Sequence, residues 1–184
     1  MGTTRKVSKT FPKEHPEKPW TVRKKYKKWI RKLTRKGATV RRSKEEDLCV
    51  GKRNICAGDL GIPRKYMPQF GEKEDVKRFI RFVRKAYRIK SFHTRRKARD
   101  LRPAQGEISR KRIKSLIAPP FEILKKVKIP LIVSKNNYIV DGHHRWAAYR
   151  VKRPDAPLPV VVIDAPIKDV LGIAVAWGAK HENF

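Results

Sequence analysis

Acid is scarce in this chain relative to base: 17 Asp and Glu stand against 48 Lys and Arg in 184 residues, a formal charge of +31. Self-repulsion on that scale strains a compact fold unless a polyanion neutralises it, so the expected partner is nucleic acid, DNA or RNA. Cysteine is nearly absent. Cys49 and Cys56, separated by Val50-Gly51-Lys52-Arg53-Asn54-Ile55, match neither a zinc nor a thioredoxin spacing, and the pair reads as reduced structural thiols. No stretch is long and apolar enough to span a bilayer, and the N-terminus carries no hydrophobic signal region, so the expectation is no membrane and a cytoplasmic location. Internal repeats are missing too, which excludes solenoids and propellers.

The cations that are present are unevenly placed. From Arg5 to Lys44 the chain is dense in Lys and Arg, whereas beyond Ala118 the charges come closer to balance. This predicts a basic, largely helical arm over residues 1–56 and a core domain over 57–184. Within the arm, Pro19 to Lys36 reads as a helix: Pro19 suits a first turn, Gly37 stops it, and Val22, Tyr26, Trp29, Ile30 and Leu33 recur at helical spacing. Its other faces carry Arg23, Lys24, Lys27, Lys28, Arg31, Lys32 and Arg35, suited to a phosphate backbone. A second basic run, Arg84 to Arg102, holds Arg95, Arg96 and Lys97 just before Pro103-Ala104-Gln105, and reads either as a nucleic-acid contact or as a solvated loop. Neither run contains a base-reading motif. Binding through them is expected to be weakly sequence-specific and steeply salt-dependent.

The core reads as α/β (α+β). Ser43-Lys44-Glu45-Glu46 offers a capping box for a short helix ending before Gly58. Glu72, Glu74 and Asp75 open a helix reaching about Tyr87, with Val76, Phe79, Ile80, Val83 and Tyr87 on one face. Met67 and Phe70 read as core anchors. Ile108 to Ile117 is a helix stopped by Pro119-Pro120, Pro157 to Asp164 an apolar strand, and Ile167 to Trp177 a closing helix.

The densest chemistry lies between. Pro130 to Ser134 and Tyr138 to Val140 read as two strands of a hairpin turning at Lys135-Asn136-Asn137, followed at once by Asp141-Gly142-His143-His144-Arg145-Trp146-Ala147-Ala148-Tyr149. Asp141 is placed to cap the helix that Trp146, Ala147 and Tyr149 begin, and Gly142 to let a ligand approach the backbone. A helix N-terminus with His144 and Arg145 beside it is suited to phosphate, because free backbone N–H groups and a guanidinium fork converge there. Zinc is not expected: adjacent histidines diverge on a helix and no third ligand stands at a known spacing.

This Asp-Gly-His-His-Arg-Trp-Ala-Ala run resembles the signature of the ParB/sulfiredoxin superfamily, which includes partition proteins, sulfiredoxins, free serine kinases and phage or plasmid ParB-like nucleases. Leu101 to Ile108 with Lys111-Arg112-Ile113 resembles the family's earlier Pro-x-Gln/Glu box, and Gly61 to Gln69 a stretch of phage members; the likeness spans roughly residues 57 to 165. It implies a small mixed sheet with flanking helices. By position, Gly142, His144, Arg145 and Gln105 would bind the nucleotide, ATP or CTP with Mg2+, while Asp141, His143 and Glu107 would be the catalytic candidates and Asp141 the metal contact. His143 stands where sulfiredoxins carry their cysteine, which argues against sulfinic-acid reduction. The resemblance also allows a homodimer, and a virion as well as a host cytoplasm if the source is a phage. Three functions stay open: an NTPase or nuclease acting on DNA, a phosphotransferase of the free-serine-kinase type, and a non-catalytic nucleic-acid-coating or virion-packaged factor.

Overall fold

The computed structural model describes Lys24, Lys28, residues 47–50, 54–62, Arg64 and residues 67–181. Lys24 and Lys28 are helical and exposed, and the rest of the expected arm helix, with Arg23, Lys27, Arg31, Lys32 and Arg35, lies outside the described residues.

Helix α1 (Lys73–Tyr87) opens with Glu74 and Asp75 at its positive end and closes with Arg84 and Lys85 at its negative end, before Arg88 turns left-handed at φ 55°. Strand β1 (Ser91–Lys97), a 3-10 turn (Ala98–Asp100) and the short β2 (Arg102–Pro103) follow. Then come α2 (Arg110–Ile117), β3 (Leu131–Ser134), β4 (Tyr138–Asp141), α3 (His143–Lys152), β5 (Pro157–Ile163) and α4 (Ile167–His181). The strands form one mixed sheet in the order β1-β5-β3-β4-β2, in which β5 pairs antiparallel with β1 and parallel with β3, and β4 pairs antiparallel with β3 and parallel with β2.

Both faces of this sheet are covered. Ile132, Val140 and Ile163 pack under α1 and α4, whereas Leu131, Val133, Ile139, Leu158, Val160 and Val162 pack under α2 and α3. That is why β3 and β5 read as unbroken apolar runs without a polar alternation. On the first face Phe70, Phe79 and Trp177 form an aromatic knot with ring centroids 4.8 to 5.6 Å apart. On the second, Trp146 is buried and its Nε1 donates to the Ala98 carbonyl at 2.7 Å, joining α3 to the end of β1. Asn136, in the hairpin turn, accepts from Ile167 N at 3.2 Å and so satisfies one free donor of α4.

Three expectations change. The helix after the Ser43 capping box is not seen: among the described residues, Asp47 makes a β-bridge to Ser109, and residues 48–49 and 55–58 are turns. Asp47 Oδ1 accepts from Cys49 N and Ile108 N at 2.9 Å each, so an acid read as part of a helix instead pins this segment to the core upstream of the expected boundary at residue 57. Cys49 and Cys56 are joined in a disulfide, not held as thiols: Ile55 N donates to the Leu48 carbonyl at 3.2 Å, and both cysteines lie in the same apolar cluster. The Arg84 to Arg102 run is no solvated loop: it carries the end of α1 and all of β1, an edge strand.

Loop-entropy scaling for so short a closed segment puts the disulfide's contribution at about 2.5 kcal/mol. Guanidinium unfolding with and without dithiothreitol is expected to differ by that amount. Alkylation of both cysteines in the native, unreduced protein would show instead that the thiols are free.

Candidate phosphate site at a helix junction

The turn from β4 into α3 is built by tight local geometry. A one-residue irregularity in the β3–β4 register, at Ile132/Val133, leaves Val140 as the extra residue and re-aims the strand end. Gly142, not Asp141, holds the cap position, at φ 97° and with no side-chain cap bond. A Cβ there would stand 2.9 Å from Leu131 and 3.0 Å from Arg145 Nη2. Glycine is thus required twice, by the left-handed backbone and by the guanidinium folded over it, so the close approach it permits is that of Arg145 and not of a ligand.

Arg145 is anchored from both sides. Its Nη2 donates to Asp141 Oδ2 at 2.7 Å and its Nη1 to the Ile129 carbonyl. Burial pushes the Asp141 carboxyl up, while Arg145 and the backbone donors of Phe70 and Gly142 pull it back down. Asp141 is therefore the buried counter-ion of Arg145, a role different from the cap read in the sequence.

The two imidazoles face inward. His143 Nε2 accepts from Ala104 N at 3.1 Å and Gln105 N at 3.2 Å, and the ring also bonds to the Ile139 backbone. This pattern assigns the neutral tautomer with its proton on Nδ1. His144 Nε2 accepts from Ser109 N at 3.1 Å. Burial, with nearby His144 for His143 and nearby Arg64 for His144, lowers each pKa from 6.5 to about 3. At neutral pH neither ring carries a proton on Nε2 to give to a phosphate oxygen, and each Nε2 lone pair is taken by a backbone N–H. Gln105 is also turned into the core, its Nε2 donating to the Glu107 carbonyl.

What these bonds assemble is a junction. His144, in the first turn of α3, bonds the backbone of Ser109, whose hydroxyl accepts from Arg112 N at 3.3 Å as the cap of α2. The N-termini of two helices thus converge, and the first-turn N–H groups of each lack intrahelical acceptors. Arg64 lies beside them. Its backbone N–H donates to Glu107 Oε2 at 3.1 Å, its Nη2 to Gln69 Oε1 at 2.9 Å, and its buried Nε has no partner among the described residues. Burial and then Arg112 lower the Arg64 pKa, against the opposing pull of Glu107 and Asp141. Arg64, Glu107, Ser109, Gly142 and Arg145 are partly open to solvent at this junction, and Arg112 is exposed.

Arg64 and Arg112 were not among the residues singled out for the site. Both lie inside the two upstream boxes, so the signal was there, but nothing in sequence distance brings residue 64 to residue 144. Arg95, Arg96 and Lys97 sit on β1, with β5 and β3 between that strand and β4; Lys97 and Arg99 pair with Asp155 at 4.0 and 2.9 Å. Among the described residues no three His, Cys, Asp or Glu side chains cluster as metal ligands, and no helix is long and apolar enough to cross a membrane. A scan of protein-family models and searches of curated proteins and solved structures return no match for this chain.

Two outcomes test this geometry. Each imidazole's pKa is lower in the folded than in the unfolded chain, so the unfolded state binds the extra protons between about pH 6.5 and 3. Their contribution is complete above that window and lost as the pH falls through it. His144→Gln, which keeps an acceptor but cannot titrate, is expected to flatten the acid limb of stability against pH by up to 1.4 kcal/mol per pH unit. An unchanged limb would place a charged or exposed His144 in the native state. Asp141→Asn, which strands Arg145 in a largely buried position, is expected to cost about 3 kcal/mol in denaturant unfolding.

Proposed function

We propose that this protein binds nucleic acid, takes the phosphates of a nucleoside triphosphate at the α2/α3 junction, and acts on DNA in the manner of a ParB-like nuclease or NTPase. The single observation that carries the reading is Arg64: a guanidinium whose buried Nε has no partner among the described residues, beside Glu107 and Arg112, where two helix N-termini meet. Such a concentration of donors is suited to a triphosphate, ATP or CTP, because each helix end and each guanidinium adds a charge-assisted bond. The ParB/sulfiredoxin resemblance, in the three boxes that supply Arg64, Glu107 with Arg112, and Gly142 with Arg145, supports the same assignment. The charge of +31 supports the nucleic-acid partner.

Within this reading the roles shift from those read in the sequence. His143, His144 and Gln105 position the junction, and Arg64, Arg145 and the backbone N–H groups hold phosphate. A nucleotide would bring Mg2+, which takes one or two protein carboxylates beside phosphate oxygens. Asp141, buried and ion-paired with Arg145, does not fit that role; Glu107, partly exposed and bonded through Oε2 to a neutral backbone N–H, does. Glu107 is also the remaining base for a phosphotransferase, the second enzymatic reading. The engagement of both imidazoles favours a third, phosphate binding without turnover by a nucleic-acid-coating protein.

The deciding experiment supplies γ-labelled ATP and CTP with Mg2+, with and without DNA, to the full chain and to Arg64→Gln and Glu107→Gln. Nucleotide binding weakened about tenfold or more by Arg64→Gln is expected, at the lower end of what a hydrogen bond to a charged group contributes. DNA-dependent phosphate release or cleavage lost in Glu107→Gln supports the hydrolase, label on a small hydroxyl acceptor the kinase, and binding alone the coating protein. An absence of nucleotide binding in every condition overturns all nucleotide-using readings.

A further inference from the structure

A second cationic feature shares no lining side chain with the helix junction. Between α1 and the β1/β5 edge of the sheet is a cavity of about 590 Å³, walled on the helix side by Lys73, Lys77, Arg81, Arg84 and Lys85 and on the strand side by His93. Its floor is apolar: Val76, Ile80, Pro130 and Val161. No carboxylate is part of the lining. Glu74 pairs with Lys77 at 2.6 Å from outside the groove, and both side chains are more than half exposed.

The row is a consequence of helical spacing. Positions 73, 77, 81 and 84/85 recur every turn on the flank of the face that buries Val76, Phe79 and Val83, and at 1.5 Å per residue they extend about 18 Å. Five exposed cations in line repel one another, and the Glu74 pair with Lys77 and the negative helix end beside Arg84 and Lys85 offset only part of that repulsion, so the arrangement favours an anionic ligand. A linear polyanion complements it. Duplex DNA would meet such a surface with phosphates alone, whereas a single strand also offers base faces to an apolar floor and to the exposed imidazole of His93.

We infer that the groove between α1 and β1 binds a single-stranded nucleic acid, its backbone along the Lys73–Lys85 row and its bases toward Ile80, Pro130 and His93. The site contains none of Arg64, Glu107, Arg112 and Arg145 and shares with the proposed function only the nucleic-acid partner. Residues outside the basic arm thereby gain a strand-holding role.

The test is fluorescence anisotropy of the full chain with a short labelled oligothymidylate, from about 50 to 200 mM salt. Joint substitution of Lys73→Gln, Arg81→Gln and Arg84→Gln removes three backbone contacts and is expected to reduce the log–log salt slope by about 2, since each single-strand phosphate contributes about 0.7. His93→Ala is expected to weaken binding about fivefold or more with the slope unchanged, as lost stacking does. All four positions are exposed, and thermal melts of the variants confirm that the fold persists. An unaltered slope in the triple variant, with a reduced one after Arg95→Gln, Arg96→Gln and Lys97→Gln, overturns the groove while leaving nucleic-acid binding in place. Equal competition by duplex of the same sequence or by polyglutamate overturns the single-strand assignment. No binding by the unaltered chain overturns the groove and the nucleic-acid partner together, whatever the nucleotide assay shows.

Discussion

His143 and His144 each hand a ring nitrogen to backbone N–H groups more than thirty residues away, and the arrangement of the β2 end, α2 and α3 depends on those acceptors. The donors they satisfy, at Ala104, Gln105 and Ser109, belong to segments with little regular structure of their own: a two-residue strand and a helix cap. Without an acceptor, buried N–H groups of this kind would each cost about 1 to 3 kcal/mol, a large fraction of ordinary domain stability. The imidazole suits the task because it presents one lone pair and one N–H at opposite sides of a rigid ring, which lets His143 bridge β4 to the residues after β2.

From that constraint the rest of the junction follows. With the histidines committed to the interior, the groups left at the surface are Arg64, Glu107, Ser109, Arg112, Gly142 and Arg145, and chemistry assigned to this turn falls to them. Arg145 is held close by Asp141 and Ile129, so its orientation is set before any ligand arrives. Arg64 is held by Gln69 through one terminal nitrogen, and its buried Nε has no partner among the described residues. Two phosphate-suited features then share one small domain: a focused one at the helix junction, formed by the convergence of dipoles and guanidiniums, and an extended one along α1, formed by helical periodicity. The first suits a compact phosphate group and the second a strand.

Much of the fold was legible because its signals are local. The α1 face of Val76, Phe79 and Val83, the hairpin about Asn136, the β5 run and the helix stopped before Pro119 all rest on spacing within a dozen residues, and each element appears within a few residues of its expected position. The strand character of Arg84 to Arg102 was hidden because β1 is charged on both faces, an edge strand whose pairing with β5 supplies what its composition does not. The cysteines were misread for a similar reason: their spacing fits no metal or redox motif, and only the turn that brings Cys56 back to Cys49 reveals the pair.

By itself the sequence determined the charge, the mixed α/β pattern and the glycine turn that must precede α3, since each of these depends on residue identity and short-range periodicity alone. Which way the side chains of that turn face was decided only by tertiary structure. An imidazole is equally able to bind phosphate, pass a proton or accept from a buried amide, and the choice belongs to whatever group folding delivers to its nitrogen. Here folding delivers the backbone of Ala104, Gln105 and Ser109 to the histidines, and brings Arg64 and Arg112 to the place that the histidines appeared, in sequence, to occupy.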